Sequence, residues 1–81
     1  MQNVKYLSEL KRNESAEVID IYSDDSTRRR LQDLGLIKGT EVAFVQESPL
    51  GDPIAFFIRG AVIALRQEDS SCIQIKSNEV L

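Results

Sequence analysis

The sequence predicts a mainly β fold: a small, strongly bent barrel of about five short strands, with one covering α-helix after the first strand. Three observations predict it. Apolar residues alternate with period two through most of the chain after Gly39. Residues 23–36 alone keep a helical spacing over several turns. Two alternating runs are joined by nothing more than Arg59-Gly60, a link of hairpin length containing glycine. So many short strands in 81 residues are expected to curl, because closing a sheet on itself removes exposed edges.

Each element has its own signal. Leu7 and Leu10 share one face of a short helical turn, and Asn13, which tolerates the left-handed region, marks a bend. From Ser15 the pattern alternates, with Ala16, Val18 and Asp20 on one side and Glu17, Ile19 and Ile21 on the other: a first strand. In SDDSTRRRLQDLGL, one of Ser23, Asp24 and Ser26 is placed to cap a helix, and the aspartates complement its positive end. Thr27, Leu31 and Leu34 form a narrow apolar stripe. Gly35 ends the helix, with Leu36 placed to fold back in a Schellman-type cap. Gly39 then turns the chain into TEVAFVQES, where Val42 and Phe44 alternate with Ala43 and Val45. PIAFFI puts Ile54, Phe56 and Ile58 on one face, and AVIALR puts Ala61, Ile63 and Leu65 inward. EDSS forms a further turn of up to one helical revolution before a last strand, CIQIK.

The totals narrow the function classes. The expectation is one domain over residues 1–81, with its core over 7–76. A chain this short buries roughly 60% of its unfolded surface, so a deep internal pocket is not expected. Hydrophobic content of 42% and charged content of 28% are those of a globular fold. Cys72 is the single cysteine and has no internal disulfide partner. Val4 to Ser8 run into Glu9 without an apolar leader core, and no apolar run approaches the roughly 18 residues of a bilayer span. The expected compartment is a reducing cytosol. A net charge of −3 disfavours nucleic acid and anionic membranes as partners, and no direct membrane insertion is expected.

SPLGDPIAFFIRG, which holds both prolines, lies between two strands and offers no helix N-terminus to a phosphate. It also lacks the Walker pattern. Pro49 and Pro53 stiffen its flanks and Gly51 permits a positive φ at the apex, so the tip Leu50-Gly51-Asp52 is a rigid surface feature. Leu50 either folds back onto Phe57 or the helix, or stands out as a hydrophobic anchor for a partner.

Catalysis is not expected. Without histidine there is no Cys-His or Ser-His-Asp arrangement. Cys72 reads as an inert strand residue, and the pairs Asp24-Asp25 and Glu68-Asp69 as caps and solvated charge. The triplet Arg28-Arg29-Arg30 fans out about 100° per residue. Arg30 is placed to lay its stem over the barrel and pair with an acidic neighbour, while Arg28 and Arg29 point outward toward a partner. Arg59 reads as a solvated turn residue, and Arg66 as an ion-pair latch on Glu68-Asp69.

Leu7 to Glu9 and Leu10, Arg30-Leu31, Leu34-Gly35, Gly39-Thr40, Pro49 through Pro53, Arg59-Gly60, Leu65-Arg66 and Ile73, in this order and spacing, resemble the ferrous-iron transport protein A family (FeoA) from Leu7 to Ile75. Asn13, Lys38 and Ser70 depart from the family's glycine, proline and alanine. The resemblance implies an SH3-like barrel and a cytosolic accessory role in ferrous-iron uptake. It also implies a membrane-embedded partner carrying a GTP-binding domain. The candidate partner-binding residues are Arg28, Arg29, Leu50, Gly51 and Asp52. No cofactor is expected beyond a weak association with ferrous iron or another divalent transition metal. The ligands for such an ion are left open: ferrous iron favours imidazole and thiolate, and the oxygen donors Asp20, Asp24, Asp25, Asp52, Glu68 and Asp69 lack ligand-loop spacing. Two other readings stand beside this one: an SH3-like module of metal-dependent transcriptional control, and a direct ferrous-ion carrier. The oligomeric state is left open.

Overall fold

The computed structural model describes residues 4–78. They form, in chain order, β1 (Val4–Tyr6), a 3-10 turn (Leu7–Glu9), β2 (Ser15–Ile21), α1 (Asp25–Asp33), β3 (Glu41–Glu47), β4 (Ile54–Ile58), β5 (Ala61–Leu65), α2 (Gln67–Ser70) and β6 (Ile73–Ser77). The strands make one antiparallel sheet in the order β1-β6-β2-β3-β4-β5. The five expected strands are all present. A sixth, β1, adds Val4–Tyr6 beside β6, and the helix follows the strand that the alternation marks as first. The sheet curls without β1 and β5 pairing, which leaves these two as its outer strands.

The curled sheet encloses a core to which nearly every element contributes. Leu7 and Leu10 enter from the 3-10 turn, Ala16, Val18 and Ile21 from β2, Leu31 from α1 and Leu36 from the residues after it. Val42, Phe56, Ile58 and Leu65 come from β3 to β5, and Ile73 and Ile75 from β6. Each fully buried Leu, Ile or Phe contributes about 2 kcal/mol of transfer free energy. Phe44 and Phe56, opposite one another on β3 and β4, add an edge-to-face contact with centroids 6.3 Å apart.

The end of α1 forms as its sequence requires. The Gly35 N–H donates to the Gln32 carbonyl at 2.9 Å and the Leu36 N–H to the Leu31 carbonyl at 3.1 Å, the two bonds of a Schellman cap. Gly35 has φ 107°, and Leu36 is buried behind it. Asp24 is the N-cap, its Oδ2 accepting from the Thr27 N–H at 3.3 Å. Asn13 has the expected positive φ, 66°.

Strict alternation fails at two β-bulges. In β2 the register slips between Val18 and Asp20, so Ile21 rather than Asp20 returns to the buried face. Asp20 turns outward, where its Oδ1 accepts from the Ile21 N–H and from Arg28. In β3 a slip between Phe44 and Gln46 leaves Val45 exposed. Ala61, expected inward, is exposed because it adjoins the Arg59-Gly60 turn at the far end of the β4–β5 hairpin.

Candidate interaction surface

The β3–β4 turn is stiffened by hydrogen bonds on both sides of its tip. The Pro53 carbonyl accepts from the Ser48 N–H at 3.1 Å and from the Ser48 hydroxyl at 2.8 Å. The Gly51 N–H donates to the Ser48 carbonyl at 2.8 Å, and the chain then leaves the turn through the positive φ of 87° that Gly51 adopts. Asp52 Oδ1 accepts from the Gln67 N–H at 2.9 Å, fastening the turn to the first residue of α2. Leu50 is thus held on a fixed backbone with 95% of its surface exposed; it does not fold back onto Phe57 or α1.

α2 is tied to α1 as well. Arg30 Nη2 donates to Asp69 Oδ1 at 2.9 Å. The tip, α2 and α1 are therefore linked in series through Asp52, Gln67, Asp69 and Arg30. Arg30 has the structural pairing expected of it, but the latch expected of Arg66 belongs to Arg30. Arg66 contributes its backbone carbonyl to Asp69 and Ser70 and makes no ion pair among the described residues. Gln67 has no sequence signature, since its role lies in its backbone N–H.

Of the two outward arginines, Arg28 is held against β2. Its Nη1 donates to the Ile21 carbonyl at 3.2 Å and its Nη2 to Asp20 Oδ1 at 3.3 Å. Arg29 is exposed and makes no ion pair among the described residues. Arg59 has its stem against the end of α1, so close that a Cβ on Gly35 would stand 2.7 Å from its Cδ.

A second exposed feature is apolar. Ala43, Phe57 and Val62 are direct neighbours across β3, β4 and β5, and Phe57 and Val62 are 47% and 61% exposed. Ala43 and Phe57 border an open groove of about 630 Å³ between the residues after α1 and the β4–β5 turn, lined also by Ile37, Lys38 and Arg59. The sequence carried a signal for this row: once Phe56 and Ile58 are assigned inward, the outward positions Ala55, Phe57, Val62 and Ala64 are apolar where a solvated face is polar.

The remaining titratable groups offer little chemistry. Burial pushes the Cys72 thiol above its ordinary pKa, and its Sγ lies 3.0 Å from the Asp69 carbonyl. Among the described residues no three His, Cys, Asp or Glu side chains come together as a metal-holding group. No helix among them is long and apolar enough to cross a membrane.

Comparison with known proteins places these features in context. Residues 5–77 match the FeoA domain. Over 70 residues the chain is 30% identical to an Fe(2+) transport protein A/Fe(2+) transporter FeoB fusion protein of Porphyromonas gingivalis, covering 86% of this chain but only 8% of that protein. The structure of an FeoA-like protein from Clostridium acetobutylicum superposes with a TM-score of 0.89 at 30% identity, covering 100% of this chain and 94% of the other. That of Stenotrophomonas maltophilia FeoA complexed with zinc, a prokaryotic SH3 domain protein, gives 0.75 at 32% identity, covering 86% and 87%.

Proposed function

The chain belongs to the FeoA domain family, and on that premise we propose that it is a non-enzymatic accessory of ferrous-iron uptake, docking in the cytosol on the GTP-binding part of a membrane ferrous-iron transporter. One observation carries the reading: Leu50, 95% exposed, sits on a turn fastened by Ser48, Pro53 and Gln67. An exposed leucine costs solvation in the free protein, and presenting it on a pre-ordered backbone lowers the entropy lost on docking. The Porphyromonas gingivalis relative joins its matching segment to a FeoB transporter in one chain. Such linkage keeps two parts at high effective concentration, an arrangement suited to domains that act on one another.

Leu50, Gly51 and Asp52 form the proposed contact, and Arg29, which makes no ion pair among the described residues, supplies a cation for an acidic partner surface. Arg28 serves the same surface only from its position against Asp20. Ferrous iron in this reading is the transporter's cargo, handled outside this chain. The donor chemistry supports that: there is no imidazole in the sequence, and the one thiol is held protonated by burial. The test is a binding assay between this chain and the transporter's cytosolic domain, with and without GTP. Saturable binding is expected, and its absence in both conditions overturns the proposal.

A further inference from the structure

Residues 48–53 carry Leu50 beyond the last β3–β4 pair, Glu47 and Ile54, and none of the six is buried. Core packing therefore does not set the direction in which the tip points. Three hydrogen bonds close within the turn, from the Ser48 N–H and hydroxyl to Pro53 and from the Gly51 N–H to Ser48. They fix its shape but not its tilt about Glu47 and Ile54. The β-bulge between Phe44 and Gln46 interrupts the ladder just below that pair. Among the described residues, the Asp52–Gln67 bond is the one that leaves the turn. Gln67 opens α2, where an N–H has no partner within the helix, and Arg66 at the N-cap offers no side-chain acceptor. Asp52, 15 residues away, supplies it. α2 is a firm post for this tether. Its Ser70 is 1% exposed, Leu65 and Ile73 before and after it are buried, and Asp69 is bonded to Arg30 at 2.9 Å. Charge does not explain why an aspartate stands here. Glu68 and Asp69 repeat its sign in the first turn of α2, and the Glu47 carboxylate lies 3.6 Å from where a Cβ on Gly51 would stand, while the exposed Arg66 opposes it. What Asp52 adds is an acceptor oxygen at the right place.

Resting on the docking proposed above, we infer that Asp52 is the positioning residue of that contact. It acts on the partner through Leu50, by holding the tip in one pose against α2, and not through a charge of its own. Only the fraction of molecules with Leu50 in the docking pose binds, so the apparent dissociation constant rises as that fraction falls. One ordinary hydrogen bond favours the tethered pose by a factor of about five. Without it, the tip has to be ordered during docking, and affinity is lost to that entropy.

A double-mutant cycle against the transporter's cytosolic domain tests this, with Asp52→Ala, Leu50→Ala and the two combined. Asp52→Ala is expected to weaken binding about fivefold when Leu50 is present. Where Leu50 is already alanine, it should change binding by less than about twofold. Asp52→Asn, which keeps the acceptor and removes the charge, is expected to bind as the unaltered chain does. In the free chain, the Gln67 amide should exchange faster in Asp52→Ala and at its original rate in Asp52→Asn. The amides of the core strands should be unaffected in both, which separates a lost tether from a folding defect. Three results overturn the inference and leave the docking proposal standing: unchanged affinity in Asp52→Ala, an equal loss in Asp52→Asn, or an undiminished effect in the Leu50→Ala background. Absence of binding by the unaltered chain overturns both.

Discussion

Arg30 and Asp69 hold the two helices together: the guanidinium Nη2 stands 2.9 Å from Asp69 Oδ1, with the aspartate side chain 14% exposed and the arginine 54%. An exposed ion pair is worth little, and the exposure of Arg30 places this one near that limit. The more buried aspartate raises the cost of removing only the cation. Arg30→Ala is therefore expected to destabilise the fold by about 1 kcal/mol, read as a fall of roughly 4–8 °C in the thermal midpoint of a domain this size. Asp69→Asn, which retains an acceptor oxygen, should cost less. Equal losses from the two substitutions would show that the charge matters more than the hydrogen bond.

Leu50→Asp separates docking from folding. Leu50 gives almost nothing to the core, so the thermal midpoint should stay within the effect of about 0.5 kcal/mol typical of surface changes. Affinity for the transporter's cytosolic domain is expected to fall about tenfold or more, as for a central apolar anchor. An equal fall in stability and affinity would mean that Leu50 serves the fold and not the partner.

The parts of this architecture legible in the sequence are those that local chemistry decides. Gly35 followed by Leu36 announces the Schellman cap, and Asn13 and Gly51 announce positive φ, because only such residues take those conformations cheaply. The bulges at Val18–Asp20 and Phe44–Gln46 were not legible. A bulge is a mismatch between two paired strands, and neither strand alone records it. The latch shows the same limit. Arg66 is close to Asp69 in sequence, yet Arg30, 39 residues away, makes the bond, since the fold brings α1 against α2. β1 was missed because three residues, Val4–Tyr6, are too few to show a period. Of the candidate contact residues, the exposed tip at Leu50 could be anticipated from its prolines, whereas the tether between Asp52 and a backbone N–H could not.

Stability should fall in acid through two local caps. Asp24 is held below its ordinary pKa of 3.8, chiefly by hydrogen bonding from Thr27, and Glu14 below 4.5, chiefly by the Lys11 N–H that its Oε1 accepts at 2.7 Å. Both carboxylates are lowered in the folded state, so the unfolded chain binds the proton first. Their contribution is complete above the ordinary values and is lost as pH falls through the lowered folded ones. Denaturation midpoints measured from pH 6 downward should hold until about pH 4.5 and then decline. Asp24→Asn, which keeps an acceptor at the N-cap without a titrating group, should flatten part of that decline. An unchanged slope in this variant would remove Asp24 as a cause.

Gly35 and Arg59 allow backbone strain to be distinguished from crowding. At φ 107° any L-residue at position 35 is strained, and an added Cβ would also meet Arg59 Cδ at 2.7 Å. The arginine stem is flexible and can move aside, whereas the φ is imposed by the two hydrogen bonds that close α1 and bury Leu36. The backbone should therefore dominate. Gly35→Ala is expected to destabilise by about 1–2 kcal/mol in chemical denaturation. Combining it with Arg59→Ala should recover only a small part of that loss. Near-complete recovery in the double variant would shift the cause to the side chain, and Gly35 would then be needed for the room it leaves to Arg59 more than for the turn it makes.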